Sequence, residues 1–232
     1  MKFILGKKLN MTKVFTVDGV AIPATVILAG PCKVIAVKTP PKDEVASVQL
    51  GFGSKKKLNK PQAGHQKGEK FQYLREFRLR EEKEEFKVGQ SVLASVFEAG
   101  DQVSVVGVMK GRGFTGAMKR HGFHGMPASH GHNRPKAVGS IGSRFPQHTL
   151  KGTRMAGRMG GHNVTVKNLT VVDIDPAQNL IFVSGAVPGT RGGLVKISGT
   201  GKKKEAPKLY SATEVKKVET AQKKEETTEA NS

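Results

Sequence analysis

The sequence contains a long segment that cannot build a hydrophobic core, although strand-like sequence precedes and follows it. No acidic residue occurs from Gln102 through Val172. The part from Lys110 to His162 holds most of the histidines and nearly half of the glycines. Its apolar residues follow neither a helical nor an alternating period. An irregular segment of about fifty residues is uncommon in a compact domain and is usually functional or disordered. Because Phe, Met, Ile and Val lie between its cations, we expect it to become ordered on a partner.

The charge of the chain indicates what that partner is. A net charge of +20 in 232 residues predicts binding to a polyanion, which is a nucleic acid or an anionic membrane surface. The glycine-broken segment cannot form the amphipathic helix of a membrane-surface protein. No helix-turn-helix, zinc finger or basic helix of a duplex-DNA reader is visible. Arg and Lys for phosphates, with Phe and His for splayed bases, favour a folded RNA.

Localisation follows from the apolar runs and from cysteine usage. The longest apolar runs are too short to span a bilayer, and the first residues do not match a signal peptide. The single cysteine, Cys32, allows no internal disulfide, which is typical of a reducing compartment. Its apolar setting predicts a buried small hydrophobe rather than a nucleophile. We expect a soluble cytoplasmic protein.

The rest of the chain is predicted to be mainly β. Residues 1–54 contain β-branched segments bounded by Gly, Asp and Pro, which predict short strands. Residues 55–100 are more polar, with one short helix, a strand at "FQYLREFRL" and a solvated acidic cluster, "REEKEEF". Strands are also predicted on both sides of the irregular segment. The residues after about 201 have the low apolar content of a disordered tail, so truncation after Gly201 is expected to leave stability nearly unchanged.

A glycine pattern in the irregular segment raises the possibility of a nucleotide-binding enzyme. Gly111, Gly113 and Gly116 match Gly-x-Gly-x-x-Gly and follow a predicted strand. A dinucleotide-binding loop also needs a crossover helix and an acid about 20 residues later for the ribose. The next acid is Asp173, and the helical period is absent. The pattern is therefore interpreted as backbone that can approach phosphates closely.

The histidines and serines of the segment give no catalytic or metal site. His121, His124, His130 and His132 lack the cysteine or carboxylate ligands that zinc sites usually include. Ser129 next to His130 has no acid to orient the imidazole. We therefore expect no enzyme activity, no resident cofactor or metal and no small-molecule substrate. The four imidazoles are expected to hydrogen-bond to RNA or stack on it.

Six motifs carry a resemblance to one protein family. They are "ILGKKLNMTKVF", "KGRGFTGAMKRHGF", "SHGHNR", "GSIG", "KGTRMAGRMGGHNVTV" and "NLIFVSGAVPG". They occur in the expected order and cover nearly all of residues 2–198. Together they resemble the bacterial-type uL3 family of ribosomal proteins. The resemblance implies a translation-protein-like closed β-barrel with an inserted small α+β subdomain and a long irregular RNA-binding extension.

The resemblance also implies a function and partners. Such a protein is a structural constituent of the large ribosomal subunit, binds 23S-type rRNA and nucleates early assembly. Its extension points towards the peptidyl transferase centre, where the RNA performs the chemistry. Its expected neighbours are ribosomal proteins uL14 and bL19. Any structural Mg²⁺ would belong to the rRNA rather than to the protein.

The resemblance divides the chain into a barrel, an arm and a tail. It implies a globular barrel domain from residues 1–110 and 162–200, with the insert at about 55–98. The extended arm covers 111–161 and the charged tail 201–232. Together with the charge pattern, this implies that RNA is bound by Lys110, Arg112, Lys119, Arg120, His121, His124, His130, His132, Arg134, Lys136, Arg144, Phe145, Gln147, His148, Lys151, Arg154 and Arg158.

The sequence departs from the family pattern at three places. Ser143 follows "GSIG" at the expected tip of the arm, and Gln147 lies several residues further on, so methylation of a tip glutamine is not expected. His162 stands where an acid is common, and the tail is longer than usual. Two alternatives stay open at this stage, which are an RNA chaperone outside the ribosome and a glycine-loop enzyme.

Overall fold

A computed structural model of the protein describes residues 2–40, 43–66, 68–79 and 86–210. The chain forms two compact units. The first unit combines the described residues up to 107 with those from 164 onwards, and the second unit spans residues 108–163.

Twelve strands and two short α-helices are defined in the described residues. In chain order the strands are β1 (Phe3–Phe15), β2 (Ala21–Ala29), β3 (Cys32–Lys38), β4 (Ser47–Ser54), β5 (Phe71–Arg78), β6 (Ser91–Val92), β7 (Asp101–Val108), β8 (Phe114–Thr115), β9 (Gly157–Arg158), β10 (Asn163–Asp175), β11 (Leu180–Ser184) and β12 (Leu194–Lys203). The helices are α1 (Lys60–His65) and α2 (Ala117–His121), and a 3₁₀ turn covers Ala94–Val96. The prediction of a mainly β protein is confirmed.

Six of the strands form a sheet that closes on itself. Its order is β1-β12-β7-β10-β11-β2, and β2 returns to pair with β1. Alternation explains why these segments can bury one face: in β7, Val103 and Val105 are fully buried while the residues between them are half-buried. Other large side chains of this closed ring that are fully buried include Phe3, Ile4, Leu5, Ile27, Val171, Ile181 and Ile197.

A second sheet in the same unit has the order β5-β4-β3-β6. Phe77 of this sheet stacks on Phe3 of β1, with ring centroids 4.7 Å apart. Cys32 is 1% exposed, and its burial raises the pKa of the thiol to about 12, which confirms the prediction of a buried small hydrophobe. The short helix and the strand predicted between residues 55 and 100 are present as α1 and β5.

The pairing of β3 and β4 differs from the sequence-based expectation. Their pattern predicts strands of the barrel, with the insert starting only at about residue 55. The structure instead pairs β3 with β4 and β6, and β4 with β5, so the second sheet begins at Cys32. The reason is that alternation predicts which side of a strand is buried but not which sheet it joins. The predicted acidic cluster "REEKEEF" falls mostly outside the described residues, which omit 80–85.

The second unit is largely irregular, as the sequence predicts. Within it, the described regular elements are the two-residue strands β8 and β9 and the five-residue helix α2. No helix among the residues described here is both long and apolar enough to cross a membrane.

Residues 201–210 are bound to the closed ring, so the predicted start of a disordered tail at 201 is wrong for these residues. β12 continues through Lys203, and Leu209 forms a bridge with Thr16. The backbone hydrogen bonds of this C-terminal segment run from Lys204 N to Gly100 O (2.8 Å), from Val17 N to Lys208 O (3.0 Å) and from Tyr210 N to Phe15 O (2.9 Å). Composition misses this arrangement because backbone pairing does not depend on apolar side chains. Residues 211–232 lie outside the described part.

An ion-pair network accompanies this pairing. Lys203 forms a hydrogen-bonded ion pair with Glu98, which lowers the pKa of the Glu98 carboxyl and raises that of the lysine. Lys2 Nζ lies 2.7 Å from the buried Asp101 Oδ2 and 3.7 Å from Glu98 Oε1. Both the pairing and the charges therefore join the chain after Gly201 to the ends of β1 and β7.

We predict that two truncations differ in stability. Removal of residues 211–232 is expected to leave the melting temperature unchanged, since four lysines and five glutamates nearly cancel there. Truncation after Gly201 removes three backbone hydrogen bonds to the ring. At roughly 0.5–1.5 kcal/mol net for each bond, the loss of the three bonds together is expected to lower the free energy of unfolding by about 1.5–4.5 kcal/mol. Denaturant unfolding of both variants measures this difference, and equal midpoints would contradict the pairing.

Candidate nucleic-acid interface

The two ends of the arm are held together by a short antiparallel ladder. β8 and β9 pair Phe114 with Arg158 and Thr115 with Gly157. The ladder continues beyond the two strands through four backbone hydrogen bonds. These run from Arg112 N to Met159 O (2.8 Å), Met159 N to Gly113 O (2.9 Å), Gly161 N to Met109 O (3.0 Å) and Met109 N to His162 O (2.9 Å). The base of the arm is therefore ordered within the protein.

Glycine is required where the two ladder strands approach each other. Gly160 has φ +77°, and a Cβ there would collide with the carbonyl oxygen of Lys110. The Gly-x-Gly-x-x-Gly pattern begins on the other strand of the ladder, which faces the strand that contains Gly160. Its last glycine, Gly116, precedes a helix of only five residues, α2. This loop thus lacks the long helix on which a dinucleotide fold places a pyrophosphate.

Two of the predicted RNA-binding side chains also brace the arm from within. Arg120 Nη1 donates a 2.8 Å hydrogen bond to the Met155 carbonyl, and His121 Nε2 lies 3.2 Å from the same oxygen. The Arg120 guanidinium lies over Gly157, where a Cβ would meet Nη1 at 2.9 Å. These contacts orient α2 against the returning chain. A guanidinium has five N–H donors, so this bond does not use up its capacity for phosphate.

The distal part of the arm has little internal structure. Met126 N bonds to Pro135 O at 2.8 Å and Ala137 N to Arg134 O at 3.1 Å. Residues 138–149 adopt neither helix nor strand. In this part the Arg144 guanidinium lies 5.8 Å from the ring centroid of Phe145, which is 69% exposed. An exposed aromatic ring next to a cation has the geometry that stacks on an unpaired base.

All but one of the predicted RNA-binding residues are exposed, and the exception, His121, is half-buried. The structure brings together Arg112, Arg120, His121 and Arg158 near the base, with Lys110 and Lys119 on the same chain segments. His124, His130, His132, Arg134 and Lys136 follow α2, and Arg144, Phe145, Gln147, His148, Lys151 and Arg154 lie in the distal part and on the return. Whether these residues contact RNA stays a prediction.

The charged side chains of this unit are all positive. Residues 108–163 contain ten lysines and arginines and no carboxylate. Among the described residues, the recorded ion pairs all lie outside the arm. The part of the chain that the structure describes contains no cluster of three or more potential metal ligands. The arm therefore offers many hydrogen-bond donors and positive charges to an anion from outside the protein.

Exposed apolar side chains of the arm were missed by the sequence-based site prediction. Phe114 is 81% exposed, Leu150 61% and Ile141 50%. Each is a large hydrophobic residue in a glycine-rich, cationic context, and that context was the signal that could have identified it. Such residues can stack on bases or pack against ribose.

Comparison with known proteins identifies close relatives. A family model described as ribosomal protein L3 matches residues 77–179. The chain is 48% identical over 206 residues to large ribosomal subunit protein uL3 of Pelotomaculum thermopropionicum, covering 87% of this chain and 98% of that protein. It is 50% identical over 201 residues to the uL3 protein of Thermotoga maritima, covering 85% and 96%. The Heliobacterium modesticaldum uL3 protein is 46% identical over 208 residues, covering 88% and 99%.

We predict that amide exchange in the free protein divides the arm into two parts. The ladder amides of Arg112, Met159 and Gly161 are expected to exchange slowly because they are hydrogen-bonded. Amides of residues 138–149 are expected to exchange at nearly the unfolded rate. Hydrogen–deuterium exchange read by NMR or mass spectrometry measures both sets. Uniform strong protection from 111 to 161 would show that the arm is already folded without a partner.

Proposed function

The chain belongs to the ribosomal protein L3 family, and on that premise we propose that it is a structural constituent of the large ribosomal subunit whose arm binds large-subunit rRNA. The premise rests on relatives that are about half identical and are covered almost completely. As a ribosomal component the protein is cytoplasmic. Members of this family are structural proteins, so no enzymatic activity is assigned to it.

The observation that carries the proposal is the unopposed charge of the arm. The arm and the residues at its base, which together form the second unit at 108–163, contain ten cations and no carboxylate. These cations repel one another, and no acidic side chain within the unit offsets this repulsion. A ribosomal RNA supplies phosphates along its whole backbone, and each contact releases condensed counterions. The ladder at the base joins the two ends of the arm. The distal residues adapt to the RNA surface.

The finer features of the proposal follow the family resemblance. The closed six-stranded ring is proposed to be the translation-protein-like barrel, and the β5-β4-β3-β6 sheet with α1 its inserted subdomain. The arm is proposed to extend towards the peptidyl transferase centre and the protein to bind 23S-type rRNA early in assembly. Ribosomal proteins uL14 and bL19 are the proposed neighbours. No cofactor is proposed, and structural Mg²⁺ is assigned to the rRNA.

Two other functions are less well supported. An RNA chaperone outside the ribosome would also be basic. However, the chain is 48% identical to a uL3 protein over nearly the whole length of that protein, which favours the ribosome. A nucleotide-dependent enzyme would need a carboxylate close to the glycine loop, and residues 102–172 contain none. Co-sedimentation of tagged protein with large subunits in high salt tests the proposal. Recovery in the free pool alone would contradict it.

We predict that two arm cations contribute separately to the salt dependence of rRNA binding. Arg112→Ala combined with Lys119→Ala is expected to make the log–log slope of affinity against salt shallower by roughly 1.4–1.8, at about 0.7–0.9 per phosphate contact. Both side chains are exposed, so the fold is expected to remain intact.

Filter binding across a KCl series measures this slope. Lys13→Ala combined with Lys202→Ala removes the same charge from exposed positions outside the arm and serves as the control. An identical slope change in both variants would mean that net charge, rather than contact by the arm, determines the binding.

A further inference from the structure

A second concentration of positive charge lies outside the arm, in the connection between β4 and β5. This segment, residues 55–70, is called the lysine loop below; the structure describes all of it except Lys67. Its acid, Glu69, forms an ion pair with Lys33 of β3. Its five described lysines are all exposed: Lys55, Lys56, Lys57, Lys60 and Lys70.

The lysine loop is folded rather than irregular. Lys55 N donates a 2.9 Å hydrogen bond to Lys70 O, which closes the base of the loop. Gln66 is only 4% exposed, and its Oε1 accepts a 2.8 Å bond from Phe71 N. His65 Nε2 lies 2.7 Å from Gln49 Oε1 of the neighbouring strand. The lysines therefore project from a fixed scaffold on the second sheet.

The loop lysines have no acidic partner among the described residues. The ion pairs recorded there involve Lys2, Lys33, Lys38 and Lys203 and none of the five loop lysines. Glu69 is the one carboxylate in the described part of the loop, and it is used by Lys33. A folded loop that presents five uncompensated charges is suited to a partner with closely spaced anionic groups.

The residue types of the loop indicate how that partner is bound. Residues 55–70 contain no Arg, Phe, Tyr or Trp. Arginine forks and aromatic rings are the groups that read base edges and stack on splayed bases. Lysine acts as a point charge towards phosphate, and such contacts position a protein without reading sequence. A membrane surface is disfavoured because the loop has no exposed large apolar side chain to insert.

We propose that the lysine loop is a second RNA-binding surface, which contacts the phosphate backbone of a duplex segment without reading its sequence. The inference rests on the proposed function, because it takes RNA as the partner. A duplex fits better than a single strand, since single strands are held by stacking on aromatic rings. The loop has no Phe, Tyr or Trp, and its one imidazole, His65, lies within hydrogen-bonding distance of Gln49. The arm, with its Arg, His and Phe side chains, then provides contacts that depend on the local RNA structure.

The test compares a loop variant with a matched control on two RNAs. The loop variant carries Lys55→Gln, Lys56→Gln, Lys57→Gln, Lys60→Gln and Lys70→Gln. The control removes five exposed lysines elsewhere, through Lys13→Gln, Lys167→Gln, Lys202→Gln, Lys204→Gln and Lys208→Gln. Affinities for a large-subunit rRNA fragment and for an unrelated RNA duplex are measured across a KCl series. Thermal melting checks that each variant is folded.

The expected effect is specific to the loop lysines and independent of the RNA sequence. The slope should become shallower by roughly two to four units in the loop variant, at about 0.7–0.9 per lysine in contact. The change should be the same on both RNAs, so the ratio of the two affinities stays constant. The control should change the slope by less than half as much. Replacing the five loop lysines by arginine keeps the charges and should keep the wild-type slope.

An independent measurement uses the wild-type chain. Lysine acylation by an amine-reactive ester, read by mass spectrometry, should be several-fold slower at the loop lysines when the duplex is bound, and unchanged at the five control lysines. An unchanged loop slope, equal effects of loop and control variants, a loss confined to the rRNA fragment, or unprotected loop lysines would each overturn the inference. Failure of the wild-type chain to bind the rRNA fragment would instead overturn the proposed function.

Discussion

The structure depends on the complete absence of carboxylates from the arm. Ten cations without an acid cannot be neutralised within the unit, and ordering a backbone costs roughly 1–2 kcal/mol per residue. A compact domain normally offsets that cost by burying apolar surface, whereas here Phe114, Phe145 and Leu150 are exposed. Contacts with an external polyanion can supply the missing free energy. The composition of the arm is thus explained by the polyanionic partner that we propose for it.

The closed ring can accommodate an insertion of this length with little loss of stability. β7 and β10 are neighbours in the ring, so the arm enters and leaves the ring between two paired strands. Within the second unit, a ladder from Met109 to His162 joins the two ends of the arm. Since loop-closure entropy grows only logarithmically, at about 0.6 kcal/mol per doubling of length, a long insertion at this point costs the ring little. Stability and the proposed RNA recognition are therefore assigned to different parts of the chain.

The sequence predicts the features that have a local signal. Alternation identifies β7, glycine and charge content define the arm, and Pro61 with its polar neighbours agrees with the short α1. Features that depend on residues distant in the sequence cannot be predicted from local signals. Nothing local indicates that β3 pairs with β4 and β6 rather than with the ring, that residues 201–210 pair with Phe15, Val17 and Gly100, or that Arg120 bonds to the Met155 carbonyl. Backbone pairing and long-range hydrogen bonds cannot be predicted from amino-acid composition.

The central claim is that the arm carries the function while the ring supports it. Backbone bonds join Met109 to Gly161 and His162, so this part of the ladder remains when a short Gly-Ser linker replaces Phe114–Met159. The decisive measurement is the peptidyl-transfer activity of large subunits assembled with this deletion, in protein shown by thermal melting to be folded. The account predicts cooperative melting close to that of the wild type together with inactive subunits, and fully active subunits would contradict it.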